Sequence, residues 1–112
     1  MESIGGLEEV ILLILLNNEK IHGVEIAEQY EDALKKTISL PAIHVVLKRM
    51  EKKGWVKSEF GQPSSERGGK RKRLYWATSV GYNIIKEAHE KKNALWSGAA
   101  KPQFEIISGV QF

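Results

Sequence analysis

The sequence predicts a mainly α-helical fold with a small β-hairpin, in the order helix, helix, helix, strand, strand, helix of a winged helix-turn-helix domain. Apolar residues recur every three or four positions in four segments, as on buried helix faces. Two strand-like runs flank a loop rich in Gly and Ser. Residues 44–73 hold ten Lys or Arg and three Glu, a net +7, against −4 for the remainder. Such segregation is typical of a protein that binds a polyanion.

The composition fits one small globular domain. The chain has 112 residues, of which 42% are hydrophobic and 28% charged, and no cysteine. Its three histidines lack metal-ligand spacing and we find no nucleophile–base pair, so we expect no metal, no cofactor and no enzymatic activity. The longest apolar run has seven residues, whereas a membrane span needs about 20. The first residues do not resemble a signal peptide, so we expect a cytoplasmic protein that does not enter the membrane.

The first two helices are predicted at residues 7–16 and 24–34. The first follows Gly5-Gly6 and is apolar nearly all round, so it must be buried on more than one side. In so small a domain, we expect a partner subunit to cover the second side. The second helix follows a turn over residues 17–23, and its acidic first turn complements the helix dipole.

The third helix is predicted from Pro41 to Lys53, with Ser39 as its N-cap and Gly54 at the C′ position. One face carries a buried apolar stripe formed by Ile43, Val46, Leu47 and Met50. The opposite face is basic and exposes His44, Val45, Lys48, Arg49 and Lys52. Taken alone this is a solvated surface, but beside a basic hairpin it favours a recognition helix.

The two strands are predicted at residues 55–60 and 71–78, and Tyr75 points inward. Thr78 or Ser79 caps a long final helix that ends near Trp96. The remaining residues, 98–112, form a partly apolar tail of unknown role.

Residues 7–96 resemble the PadR-like transcriptional regulators. The resemblance rests on the order and spacing of HGVEI (residues 22–26), LKRME (47–51), ERGGKRKRLY (66–75) and residues 78–81. It is closest to the short members, which have one helix after the wing. It implies a winged helix-turn-helix DNA-binding domain over residues 1–78 and a dimerisation helix over 79–97. It also implies a homodimer that represses transcription from a palindromic operator. His44 and Ala42 depart from the commoner family pattern, so the operator sequence is not carried over.

For DNA contact, we expect the third helix to enter the major groove, where base edges are distinguishable. His44 and Lys48 are the candidates for base contact, Val45 lies beside them, and Pro41 and Ala42 are candidates for contact with thymine methyl groups. The remaining cations of the helix are expected to contact phosphates: Arg49, Lys52 and Lys53. For each residue, the alternative is a solvated surface position.

The wing adds a second set of expected contacts. Arg67 beside Gly68 and Gly69 would reach a minor groove, because narrow A·T-rich grooves attract arginine. Lys70 and Lys72 would hold phosphates, with Arg71 or Arg73 partly structural. The alternative is a flexible basic loop without sequence preference. A P-loop is excluded, because the Gly69-Lys70 pair is followed by arginine rather than Ser or Thr.

Dimerisation is expected from the last helix packing on the first helix of the other subunit. The assigned interface residues are Leu12, Leu13, Leu16, Ile85, Ala88, His89, Leu95 and Trp96. The alternative is that both helices pack within one chain. By resemblance to short family members that sense drugs, Trp96 is also a candidate for stacking on a small planar effector; the alternative is interface packing alone.

The competing hypothesis is a winged-helix module that binds RNA or a protein partner. A protein-docking wing would usually carry a less basic and more apolar tip. RNA binding would favour exposed stacking aromatics, whereas Tyr75 is predicted to point inward.

Overall fold

The computed structural model describes residues 4–63 and 71–102. It confirms the predicted mainly α-helical, winged helix-turn-helix arrangement and adds one short strand. The elements in chain order are α1 Gly6–Leu16, β1 Ile21–His22, α2 Gly23–Leu34, α3 Leu40–Lys52, β2 Val56–Pro63, β3 Arg71–Ala77 and α4 Ser79–Ser97.

The sheet has three antiparallel strands in the order β1-β3-β2. β2 and β3 form the predicted hairpin, with Val56 opposite Ala77 and Phe60 opposite Arg73. β1 was predicted as part of a turn, but it pairs with β3 through Ile21 and His22. This short strand pairs the start of α2 with β3 of the hairpin.

α3 is defined by local signals at both ends. The Ser39 hydroxyl accepts a hydrogen bond from the Ala42 N–H at 3.2 Å, and Pro41 occupies the first turn. Gly54 follows the helix with a φ of +81°, a conformation that glycine adopts without steric cost. The predicted apolar stripe of α3 is buried: Ile43, Val46, Leu47 and Met50. The opposite face of the helix is therefore left to solvent.

α1 is enclosed by the protein's own elements, since α2, α3, α4 and β3 all contact it. Leu12 of α1 is 0% exposed and Ile85 of α4 is 3% exposed. Both residues were predicted to lie in a subunit interface, and this prediction was wrong, because they lie in the core of a single chain. Leu13 is half-buried and Leu16 is exposed.

The start of α4 is fixed tightly to the end of α3. The Thr78 N–H donates to the Trp55 carbonyl at 3.0 Å, and the Thr78 hydroxyl donates to the Gly54 carbonyl at 2.7 Å. A Cβ at Gly81 would lie 2.3 Å from the Trp55 carbonyl oxygen, so this crossing needs glycine. Further along, every residue from 89 to 97 is exposed.

Candidate nucleic-acid interface

The solvent face of α3 is cationic with an apolar centre. His44, Lys48, Arg49 and Lys52 are exposed, and Val45 among them is 58% exposed. The alkyl stems of Lys48, Arg49 and Lys52, together with Val45, border a hollow of about 290 Å³. At the start of the helix, Pro41 is exposed and Ala42 is half-buried. This surface offers both charge for phosphates and apolar contact for base methyl groups.

Lys53 does not belong to this face. Its Nζ lies 3.1 Å from Glu8 Oε2 and 4.4 Å from the centre of the Trp55 ring. The Glu8 side chain is 6% exposed and also accepts the Gly5 N–H at 2.9 Å, while the Lys53 side chain is 27% exposed. Lys53 was predicted to contact a phosphate, but in the structure its ammonium group pairs with a buried carboxylate of α1.

The hairpin presents one face to α3. Side chains alternate along a strand, so the opposed pairs Ser58–Tyr75 and Phe60–Arg73 lie on the same face, together with Arg71. The Arg73 guanidinium carbon is 4.2 Å from the centre of the Phe60 ring, and that of Arg71 is 5.3 Å away. The Arg71 Nε–H also donates to the Gly61 carbonyl at 3.0 Å. Both arginines therefore have structural contacts as well as exposed charge.

A cleft of about 370 Å³ separates the hairpin from α3 and the start of α2. Its ionisable lining side chains are His22, His44, Arg71, Lys72, Arg73 and Tyr75, and its apolar walls are Val24, Leu40 and Phe60. A Cβ at Gly23 would lie 2.9 Å from His44 Nε2, so glycine leaves room for the imidazole. His22 and Val24 were not predicted to belong to the site. Val24 could have been recognised from the sequence as an apolar residue in the first turn of the predicted second helix, and in the structure it is exposed.

Tyr75 lies where the hairpin meets α3. Burial raises the pKa of its phenol; the nearby Arg73 charge opposes that increase and the Glu51 charge adds to it. The phenol is therefore close to one charge on the hairpin and to one on the helix.

The remaining predicted residues divide between described and undescribed parts of the chain. Lys72 is exposed at the start of β3. The predicted wing contacts of Arg67, Gly68, Gly69 and Lys70 lie outside the described residues. In α4, Ala88 is half-buried and His89 is exposed, while Leu95 and Trp96 are 80% and 76% exposed. In the tail, residues 98–102 are exposed, and 103–112 lie outside the described residues.

Among the helices of the described segments, none has the length and apolarity to cross a bilayer.

Comparison with solved structures supports the same fold. A PadR-like transcriptional regulator from Bacillus cereus shares 23% identity, with 81% of this chain and 84% of that chain covered and a TM-score of 0.66. A PadR-like transcription factor from Bacteroides fragilis shares 19% identity over 81% and 84% of the two chains, with a TM-score of 0.69. A transcriptional regulator from Clostridium thermocellum shares 24% identity over 80% and 84%, with a TM-score of 0.66.

No curated protein matches the sequence. The model of the transcriptional regulator PadR-like family, however, matches residues 11–87, from the middle of α1 into α4. This match includes the basic face of α3 and both strands of the hairpin. The chain therefore belongs to the PadR-like family and is a DNA-binding transcription regulator.

Proposed function

We propose that this protein is a cytoplasmic, homodimeric repressor that binds a palindromic operator in double-stranded DNA. The observation that carries the proposal is the exposed basic face of α3, where Lys48, Arg49 and Lys52 border one hollow of about 290 Å³, beside a hairpin strand whose Arg71, Lys72 and Arg73 are also exposed. A helix and a hairpin that share a cationic surface match a duplex, whose major groove admits a helix while its phosphates flank it.

Within this proposal, α3 reads base edges. His44 and Lys48 donate hydrogen bonds to bases, and Val45 with Pro41 and Ala42 contacts thymine methyl groups. Arg49 and Lys52 contact phosphates on either side of the groove, as do Lys70 and Lys72 of the wing. Arg67 enters the adjacent minor groove.

Dimerisation is proposed through α4, whose exposed end carries Leu95 and Trp96. Large apolar side chains on a helix that leaves the core are suited to contact a second copy. The proposed interface also includes Leu13 and Leu16 of α1 and Ala88 and His89 of α4. The subunits would then comprise a DNA-binding domain over residues 1–78 and a dimerisation helix over 79–97. Two-fold symmetry would place two α3 helices about 34 Å apart along the duplex.

An effector is proposed at Trp96. Its indole is 76% exposed in the single chain, and near a two-fold axis two such rings would form a stacking site for a planar, cationic compound. The alternative is that Trp96 only packs in the interface.

Selection of bound fragments from genomic DNA, followed by competition, tests the DNA proposal. The selected duplex should bind the protein, and a structured RNA of equal length should compete at least tenfold less well. Equal competition by RNA would support the alternative of an RNA-binding winged helix and contradict the operator proposal.

A further inference from the structure

Three side chains connect the recognition helix to the hairpin. The Ser58 hydroxyl of β2 donates a hydrogen bond to Glu51 Oε2 of α3 at 2.8 Å. The same hydroxyl oxygen accepts a hydrogen bond from Arg73 Nη1 of β3, also at 2.8 Å. Glu51, Ser58 and Arg73 thus form a continuous chain of contacts, the α3–hairpin bridge, from one DNA-facing element to the other.

We propose that the α3–hairpin bridge holds α3 and the wing in the relative orientation that lets both contact one operator together. Its members are positioning residues rather than base or phosphate contacts. This inference rests on the proposed function and adds specificity-determining residues to it that the sequence analysis did not assign to the site.

Glu51 stands at a position that electrostatics disfavours. It lies in the last turn of α3, where the negative end of the helix dipole repels a carboxylate. It also borders the same hollow as His44 and Lys48, where a negative charge repels approaching phosphates. The Glu51 carboxylate therefore destabilises the helix and weakens the attraction of the protein for DNA. A bond that orients the hairpin gives this carboxylate a role that offsets those costs.

Arg73 is held in a way that a lysine would not reproduce. Its guanidinium lies over the Phe60 ring at 4.2 Å while one of its N–H groups binds Ser58. A planar guanidinium can stack and donate in its own plane at once, whereas an ammonium is a point donor. Stacking on Phe60 orients the Arg73 guanidinium, whose N–H group orients the Ser58 hydroxyl toward Glu51.

The bridge matters more for orientation than for folding. Exposed ion pairs and hydrogen bonds contribute little to stability, and Glu51 and Arg73 are both exposed. By contrast, a small rotation between α3 and the hairpin changes whether a major-groove contact and a wing contact can form on the same duplex. Non-specific binding, which depends on total charge, does not require that alignment.

Ser58→Ala tests the bridge without changing charge. We expect affinity for the selected operator to fall roughly three- to tenfold, the effect of one hydrogen bond. Affinity for an unrelated duplex and the slope of log affinity against log salt concentration should stay as in the wild type, because the variant keeps every phosphate-binding cation. The melting temperature should fall by only a few degrees, because the bridge is largely exposed. Ser58→Thr, which keeps the hydroxyl on a β-branched side chain suited to a strand, should restore operator affinity.

Two variants that each remove one carboxylate distinguish the bridge from a simple charge effect, because the two explanations predict opposite changes in operator affinity for Glu51→Met. Glu59 neighbours Ser58 on β2, points to the other face, and pairs with Lys20 at 2.9 Å. Glu51→Met and Glu59→Met remove the same charge, so charge alone predicts that both bind every duplex more tightly. The bridge predicts that Glu51→Met binds the operator three- to tenfold more weakly, as estimated for one hydrogen bond, while it binds unrelated duplex more tightly.

The outcomes separate this inference from the proposed function. Wild-type affinity for Ser58→Ala, or tighter operator binding by Glu51→Met, overturns the bridge and leaves DNA binding intact. A loss of preference at a single cytosine in Glu51→Met would instead make Glu51 a base reader, since carboxylates accept from the cytosine amino group, and would also overturn the positioning role. Absence of duplex binding by the wild type overturns both proposals.

Discussion

Gly81→Ala should destabilise the fold, although alanine is the better helix former. The added Cβ would lie 2.3 Å from the Trp55 carbonyl oxygen and 3.2 and 3.3 Å from the Trp55 carbonyl carbon and Cα. These are backbone atoms of a residue that is 1% exposed, so neither side can move freely. α4 must shift by about 1 Å to reach an ordinary contact distance, which strains packing at this junction.

The size of the effect follows from three contributions. Overpacking of a core costs about 1 to 3 kcal/mol, and weakening the 3.0 Å hydrogen bond from the Thr78 N–H to the Trp55 carbonyl adds about 1 kcal/mol. The higher helix propensity of alanine returns at most about 1 kcal/mol. We therefore expect the free energy of unfolding to fall by about 1 to 3 kcal/mol, or roughly 5 to 20 °C in melting temperature.

Thermal unfolding followed by circular dichroism measures this effect, with Gly6→Ala as the matched control. Gly6 is also in a helix, but nothing lies within 4 Å of its Cβ position. That variant should melt at or slightly above the wild-type temperature. A Gly81→Ala protein that melts at the wild-type temperature or higher would refute the close contact between α4 and Trp55.

Four further predictions concern other contacts of the structure and the proposed dimer and effector. Lys53→Met should lower the free energy of unfolding by about 3 kcal/mol, because it leaves the buried Glu8 carboxylate without its ion pair; urea denaturation measures this, and an unchanged midpoint would contradict the pairing. Leu95→Glu should convert a dimer to a monomer in light scattering and make the melting temperature independent of protein concentration. A planar cationic dye should quench tryptophan fluorescence in the wild type, and Trp96→Ala should abolish that quenching; a monomeric wild type would contradict both predictions. Because burial raises the pKa of Tyr75 above its usual value of 10.0, the phenol ionises at a lower pH in the unfolded chain than in the folded one. The contribution of Tyr75 to the free energy of unfolding is therefore complete below pH 10 and is lost as the pH rises through the folded pKa. Tyr75→Phe should reduce that alkaline loss in denaturation curves, and an identical pH profile would contradict it.

The elements with local sequence signals were predictable. α3 has a capping serine, a first-turn proline and a glycine with positive φ, so its bounds shift by only one residue from those predicted. β2 and β3 alternate clearly enough to be recognised, and Tyr75 points inward as expected. The two residues of β1 are too few to show alternation, and their pairing depends on β3, more than 50 residues away.

The predictions that failed were those about which partner covers a residue. Helical periodicity shows that Leu12 and Ile85 are buried, but it does not distinguish their own chain from a second copy. Lys53 follows the basic run of α3 directly, and only the folded chain brings Glu8, 45 positions away, to its side. The α3–hairpin bridge was missed for the same reason, since Ser58 reads as an ordinary polar strand residue.

The salt dependence of duplex binding tests most directly the claim that the cations of α3 and the wing bind phosphates. For six to ten phosphate contacts per dimer, affinity should fall roughly 10³- to 10⁵-fold between about 50 and 200 mM salt. Replacing Lys52 with alanine should weaken binding to all sequences alike and reduce the slope by about 1 for each phosphate that is no longer neutralised. An affinity that does not change with salt would contradict the account.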